Sequence, residues 1–123
     1  MLKDSKVLAV LAVKDLAESK KFYGDTLGLE EVHGDDYGVT YAAGGSEIYV
    51  YESKENAGTN KATAAAFRPD DVEKTVEELK SAGIKFEHYE GLGELKGDIH
   101  VMGEMKAAWF KDPSGNIIVV ENM

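Results

Sequence analysis

The hydrophobic pattern of this chain changes period along its length, and the whole pattern occurs twice. Val7-Leu8-Ala9-Val10-Leu11-Ala12-Val13 is an unbroken apolar run of strand length, as expected for a strand covered on both faces. Lys14-Asp15-Leu16-Ala17-Glu18 then opens a helix. Asp15 is a good N-cap, and Glu18 completes an acidic variant of the capping box. Leu16, Tyr23 and Leu27 share one helical face with Phe22 beside them, and Gly28 is placed to end the helix. Three strands are expected next, over 29–33, 37–43 and 47–52. The segments Gly34-Asp35-Asp36 and Gly44-Gly45-Ser46 supply the turns between them.

Residues 54–61 are polar, contain glycine and lack periodicity, and they read as a linker. The pattern then restarts. Residues 62–68 form another apolar strand, and Pro69-Asp70-Asp71 begins a helix whose inner face carries Val72, Val76 and Leu79. Ala82-Gly83-Ile84 closes it much as Leu27-Gly28-Leu29 closes the first. Beyond it come a strand at 85–89, a glycine- and acid-rich loop at 90–98, one long strand at 99–111 and a last strand at 116–121. Each half therefore reads as strand, helix and three strands. The expected fold is α+β, with two βαβββ modules forming curved mixed sheets around a cavity and the helices outside. Module 1 is 1–53 and module 2 is 62–123 of a single domain. A half alone leaves a sheet face bare, so pairing of the halves, within the chain or between chains, creates the natural ligand space.

Composition narrows the function classes. The chain has 123 residues, no cysteine and a net charge of −9. Without cysteine there are no disulfides, thiol nucleophiles or thiolate metal sites, and a reducing cytoplasm fits. The acidic balance argues against nucleic-acid binding; it keeps the protein soluble, and it would also favour cationic small molecules. No apolar run approaches the roughly 20 residues of a membrane helix, and the run at 7–13 reads as a strand rather than a signal peptide.

Three stretches carry a family likeness: VKDLAESKKFYGDTLGLE (13–30), AAFRPDDVEKTVEELKSAGIKF (65–86) and AAWFKDPSGNIIVVEN (107–122). With the repeated pattern, they make the chain resemble the vicinal oxygen chelate superfamily, which groups glyoxalases, bleomycin-resistance proteins and extradiol dioxygenases. The turn Asp112-Pro113-Ser114-Gly115-Asn116 is the most specific piece. Its own logic is structural: Pro113 presets a turn backbone, Gly115 closes it, and Asp112 or Asn116 bonds nearby amides.

In metal-using members the resemblance implies four His, Gln or Glu ligands, which point from strands into the cavity and hold a divalent ion as a Lewis acid. Carried onto this chain, the first-strand ligands fall at Leu8 and Ala64, seven residues before Asp15 and Asp71. The last-strand ligand falls at Val119. The fourth belongs on 47–52, where Glu47, Tyr49 and Tyr51 share one face and Ile48, Val50 and Glu52 the other. Leu, Ala and Val offer no lone pair, so no metal and no cofactor are expected. The alternative is a shifted divalent site of His100, Glu104 and Glu121, which would make the chain a glyoxalase- or dioxygenase-like lyase or isomerase. Metal-free acid–base work by Glu121 or His100 is a further form of the enzyme reading. His33 and His88 read as surface residues.

The preferred expectation is a binding protein of the bleomycin-resistance type, which sequesters a planar or cationic molecule without chemistry, as a homodimer in the cytoplasm. Its expected lining is Leu8, Val10, Tyr41, Tyr49, Tyr51, Ala64, Ala66, Trp109, Val119 and Glu121. Trp109 or a tyrosine stacks on the ligand, and Glu52, Glu104 or Glu121 offsets positive charge. Of the neighbours Trp109 and Phe110, the indole is assigned to the cavity side. A plainer possibility is an interaction module whose cavity is closed by Leu8, Val10, Ile117 and Val119. Small Ala64, Ala65 and Ala66 argue against complete closure.

Overall fold

Asp15 caps the first helix as its sequence position predicts. Its carboxylate accepts from the Glu18 amide at 3.0 Å in the computed structural model, in which residues 1–122 are described. Asp71 repeats the device on the Lys74 amide, also at 3.0 Å. The helices they start are α1 (Leu16–Lys20) and α2 (Val72–Ser81). From Lys21 to Thr26 the first helix widens into a π-helical segment, which apolar spacing does not reveal. The Leu27 amide reaches back to the Phe22 carbonyl at 2.9 Å. Phe22 and Tyr23 both point inward from this widened turn.

The first half forms a sheet of β1 (Ala9–Val13), β2 (Glu30–Gly34), β3 (Gly38–Ala43) and β4 (Ser46–Glu52) in the order β1-β4-β3-β2. β1 runs parallel to β4, and the other pairs are antiparallel. The second half contains β5 (Thr63–Phe67), β6 (Phe86–Glu87), β7 (Glu94–Lys96), β8 (Ile99–Met102), β9 (Met105–Lys111) and β10 (Ile117–Glu121). Its order is β5-β10-β9-β8-β7, with β6 also paired to β9 and β5 parallel to β10. These are the two curved mixed sheets of the expected α+β fold. They meet where β1 lies against β5. Among the described residues, no helix is long and apolar enough to cross a membrane.

Three details differ from the sequence reading. The first strand starts at Ala9, so Leu8 precedes it. The strand expected over 99–111 is two strands joined by a tight hairpin, in which Met102 pairs with Met105 and Gly103 takes a φ of +62°. The loop at 90–98 contributes β7, so the second half carries more strands than the first.

The inner, helix-facing sides of both sheets merge into one apolar cluster. Leu11, Val50 and Tyr41 come from the first half; Val76, Phe110 and Val120 come from the second. The Phe22 and Phe110 rings meet across the boundary at 6.3 Å. The turn at 112–116 bolts the halves together. Buried Asp112 accepts from the Ser114 and Asn116 amides at 2.9 and 2.8 Å, from Asn116 Nδ2 at 2.9 Å and from the Tyr23 hydroxyl at 2.7 Å. Asn116 Nδ2 also donates to the Ala12 carbonyl at 2.7 Å, and Ser114 Oγ accepts from the Lys14 amide at 2.8 Å. A buried carboxylate is tolerated because donors surround it. The linker joins this junction too. Ala57 is buried, and Gly58 presses so closely on the Ser114 carbonyl that a side chain there would overlap it.

Candidate functional site

Each sheet has an outer face turned away from the helices, and alternation along the strands decides which residues occupy it. On the first sheet, Val10 lies beside Tyr49, and Tyr49 lies beside Thr40. Ala12 lies beside Tyr51. The Tyr49 and Tyr51 rings are parallel within 9°, with centroids 6.2 Å apart. Tyr49 leans over Gly38, where a Cβ would collide with its ring. Val10 remains 59% exposed, a large apolar side chain presented to solvent. Tyr41 is elsewhere. Its parity sends it to the helix side, where it is buried with its ring 6.0 Å from Tyr23, away from Tyr49 and Tyr51.

On the second sheet, Val119 pairs with Trp109 on one side and with Ala66 on the other. The Trp109 indole reaches across β10 to donate to Thr63 Oγ1 at 3.1 Å on β5. That crossing roofs Val119, which is 2% exposed although it belongs to the outer face. Tyr89 and His100 meet the indole edge-to-face at 5.5 and 5.4 Å and fix its plane. Trp109 thus stands on the outer side and Phe110 in the core, as alternation requires.

Ala64 departs from its expected place. The register between β10 and β5 slips between Ile117 and Ile118: Thr63 faces Ile117 while Ala65 faces Ile118, and Ala64 is the extra residue of a bulge. Ala64 packs with the core cluster instead of sharing a face with Ala66. Leu8 stands at the entrance of a cleft described below, just before β1.

Three of the four positions that the resemblance assigns to metal ligands carry no donor here. Leu8 and Val119 have no donor atoms, and Ala64 lacks a donor and is turned by its bulge. The shifted set is not assembled either. Glu104 sits exposed at the β8–β9 hairpin tip, and Glu121 is engaged by Arg68 Nε at 3.0 Å. His100 is buried with both nitrogens committed: the Tyr89 amide donates to Nε2 at 3.3 Å, so Nδ1 carries the proton donated to the Leu92 carbonyl at 3.0 Å. Among the described residues, no three His, Cys, Asp or Glu side chains are grouped to hold an ion. His33 and His88 are exposed; His88 pairs with Asp98 at 2.7 Å. Asp98 also meets Lys80 at 3.0 Å, and these two partners hold its carboxyl below the usual range, His88 most.

A cleft of about 810 Å³ opens between the halves, largely on the helix side. Its floor includes Ile48, Phe67, Phe110 and Val120, and its walls include Leu27, Leu29 and Leu79. Glu47 and Arg68 stand at its rim with Leu8 and Ala66. Nothing in a single-strand pattern signals this space, because it depends on how the halves meet.

Comparison with known proteins agrees with this geometry. The fold superposes with a TM-score of 0.76 on a protein of provisional glyoxalase-family assignment from Bacillus anthracis, 20% identical, over 98% of this chain and 96% of that one. Lactoylglutathione lyase from Agrobacterium tumefaciens gives 0.73 at 19% identity, over 98% and 95%. A glyoxalase/bleomycin resistance protein from Streptomyces sp. CB03234 gives 0.67 at 21% identity, over 94% and 98%. At such identities these likenesses speak for the fold. No curated protein matches the chain by sequence. The family model for the Glyoxalase/Bleomycin resistance protein/Dioxygenase superfamily matches residues 7–120. The repeated capped helices, the two mixed sheets and this match together establish that the chain belongs to that superfamily.

Proposed function

We propose that this chain is a metal-independent small-molecule-binding protein that holds a planar ligand against the outer sheet faces. The observation that carries the reading is the Trp109 indole lying across Val119, a position from which metal-using relatives are expected to present a ligand. An aromatic surface replaces a donor there. The indole crosses β10 towards Thr63 and is partly exposed, a surface that suits stacking of a flat molecule. The Tyr49–Tyr51 pair, Val10 and Ala66 add apolar area. The acidic groups expected to meet a cation are differently disposed: Glu121 is paired with Arg68, while Glu52 and Glu104 are exposed. Flatness and apolarity therefore rank above positive charge as ligand features.

Sequestration needs affinity alone, so neither a nucleophile nor a Lewis acid enters the account. A homodimer completes the reading, because exposed Val10 on the outer face gains cover when a second copy closes over it. The test is titration of Trp109 fluorescence with a panel of planar aromatic compounds, with light scattering to measure oligomeric state. Saturable quenching in the presence of chelator supports the proposal. A panel-wide failure to quench, or quenching that needs an added divalent ion, contradicts it.

A further inference from the structure

We propose that the helix-side cleft between the halves is a second ligand site, for a monocarboxylate with an apolar body, whose tail enters the cleft and whose head meets Arg68. The two halves are related by the repeat, so the two ends of their junction can be compared. At one end, the turn Asp112–Asn116 fills the junction and bonds Tyr23, Ala12 and Lys14. At the other end, the corresponding connection between β3 and β4 is only Gly44-Gly45. Tyr23 of the first helix stands at the same offset from its capping aspartate as Leu79 of α2. Tyr23 has a polar turn to bond; Leu79 faces open space and lines the cleft. The cavity is the volume that a longer turn would have plugged.

Its chemistry selects the ligand. About 810 Å³ is within the range of sites for small organic molecules. Core-facing Ile48, Phe67, Phe110 and Val120 make the floor apolar. Among the described residues, Arg68 is the only cationic one lining the space. Glu121 engages its Nε, which orients the guanidinium, while the terminal amino groups have no side-chain acceptor among the described residues. Those paired N–H donors match a carboxylate in a bidentate manner. The other rim charge, Glu47, is neutralised by Lys6 at 2.9 Å.

Ala66 borders both sites, but Trp109 does not line the cleft, so the two proposals fail separately. The probe is decanoate, with decanol as its uncharged counterpart, measured by calorimetric titration on the full chain. Decanoate should bind more tightly than decanol, and Arg68→Gln should bring it roughly ten-fold weaker, to the level of decanol. Leu79→Phe, at a half-exposed helix position, should reduce binding of both, whereas Trp109→Phe should leave both unchanged. If Leu79→Phe perturbs folding, as checked by circular dichroism, Arg68→Gln at the rim carries the test alone. Equal affinity for both probes, or sensitivity to Trp109→Phe, overturns the proposal. Decanoate affinity that falls as protein concentration rises also overturns it, assigning the cleft to a second copy of the chain.

Discussion

The Tyr23 hydroxyl donates to Asp112 at 2.7 Å across the boundary between the halves, and both groups are buried. Burial and the neighbouring carboxylate push the phenol far above its ordinary range. Tyr23→Phe removes one donor of four from a buried carboxylate. The expected loss is about 1.5–3 kcal/mol of unfolding free energy in urea, with an unchanged slope. Asp112→Ala strands all the donors and is expected to cost more, about 3 kcal/mol or above.

The linker makes a companion prediction. Gly58 has a φ of +67°, and a Cβ there would overlap the Ser114 carbonyl. Gly44 has a φ of +53° with open space around it. Gly44→Ala should cost about 1 kcal/mol from backbone conformation alone. Gly58→Ala should cost clearly more, because the turn that joins the halves must also move. Thermal unfolding of the two variants side by side measures the difference.

The caps at Asp15 and Asp71 were readable because capping is local chemistry: a carboxylate, a helix start and an amide three residues on. The helix faces and most strands were readable for the same reason. What the sequence concealed depends on distant partners. Ala64 left its expected face because the register of β10 creates a bulge in β5. Tyr41 has alternating neighbours, but nothing local says which side the helix covers. Residues 99–111 read as one strand because Gly103 permits either a bulge or a reversal, and pairing of Met102 with Met105 decides for reversal. The cleft was invisible because it reflects a difference in turn length between two halves. The site was correspondingly less legible than the fold. Trp109 was identifiable as a lone indole, but its bond to Thr63 and its roof over Val119 require the folded sheet.

His100 illustrates a residue whose chemistry is absorbed by structure. It bridges the Leu92 carbonyl and the Tyr89 amide. His100→Leu leaves two backbone groups without this partner and removes a contact that steadies Trp109. A loss of about 2–4 kcal/mol is expected, with altered Trp109 emission. Metal-dependent turnover by the wild-type protein that vanishes in this variant would instead give His100 a chemical role.

Asp98 sets a pH dependence. His88 and Lys80 lower its folded pKa, so its contribution is present above the ordinary carboxylate value and is lost as pH falls through the folded value. Asp98→Asn should therefore destabilise the protein at neutral pH, and the gap from wild type should close in acid. Because the partners are substantially exposed, added salt should narrow the gap as well. Urea midpoints across pH for the two proteins test this.

The most direct measurement is a Trp109 fluorescence titration with planar aromatic compounds, run with and without EDTA. The account predicts saturable quenching by at least one compound, with the same midpoint in both series. Quenching abolished by EDTA and restored by a divalent ion would contradict it.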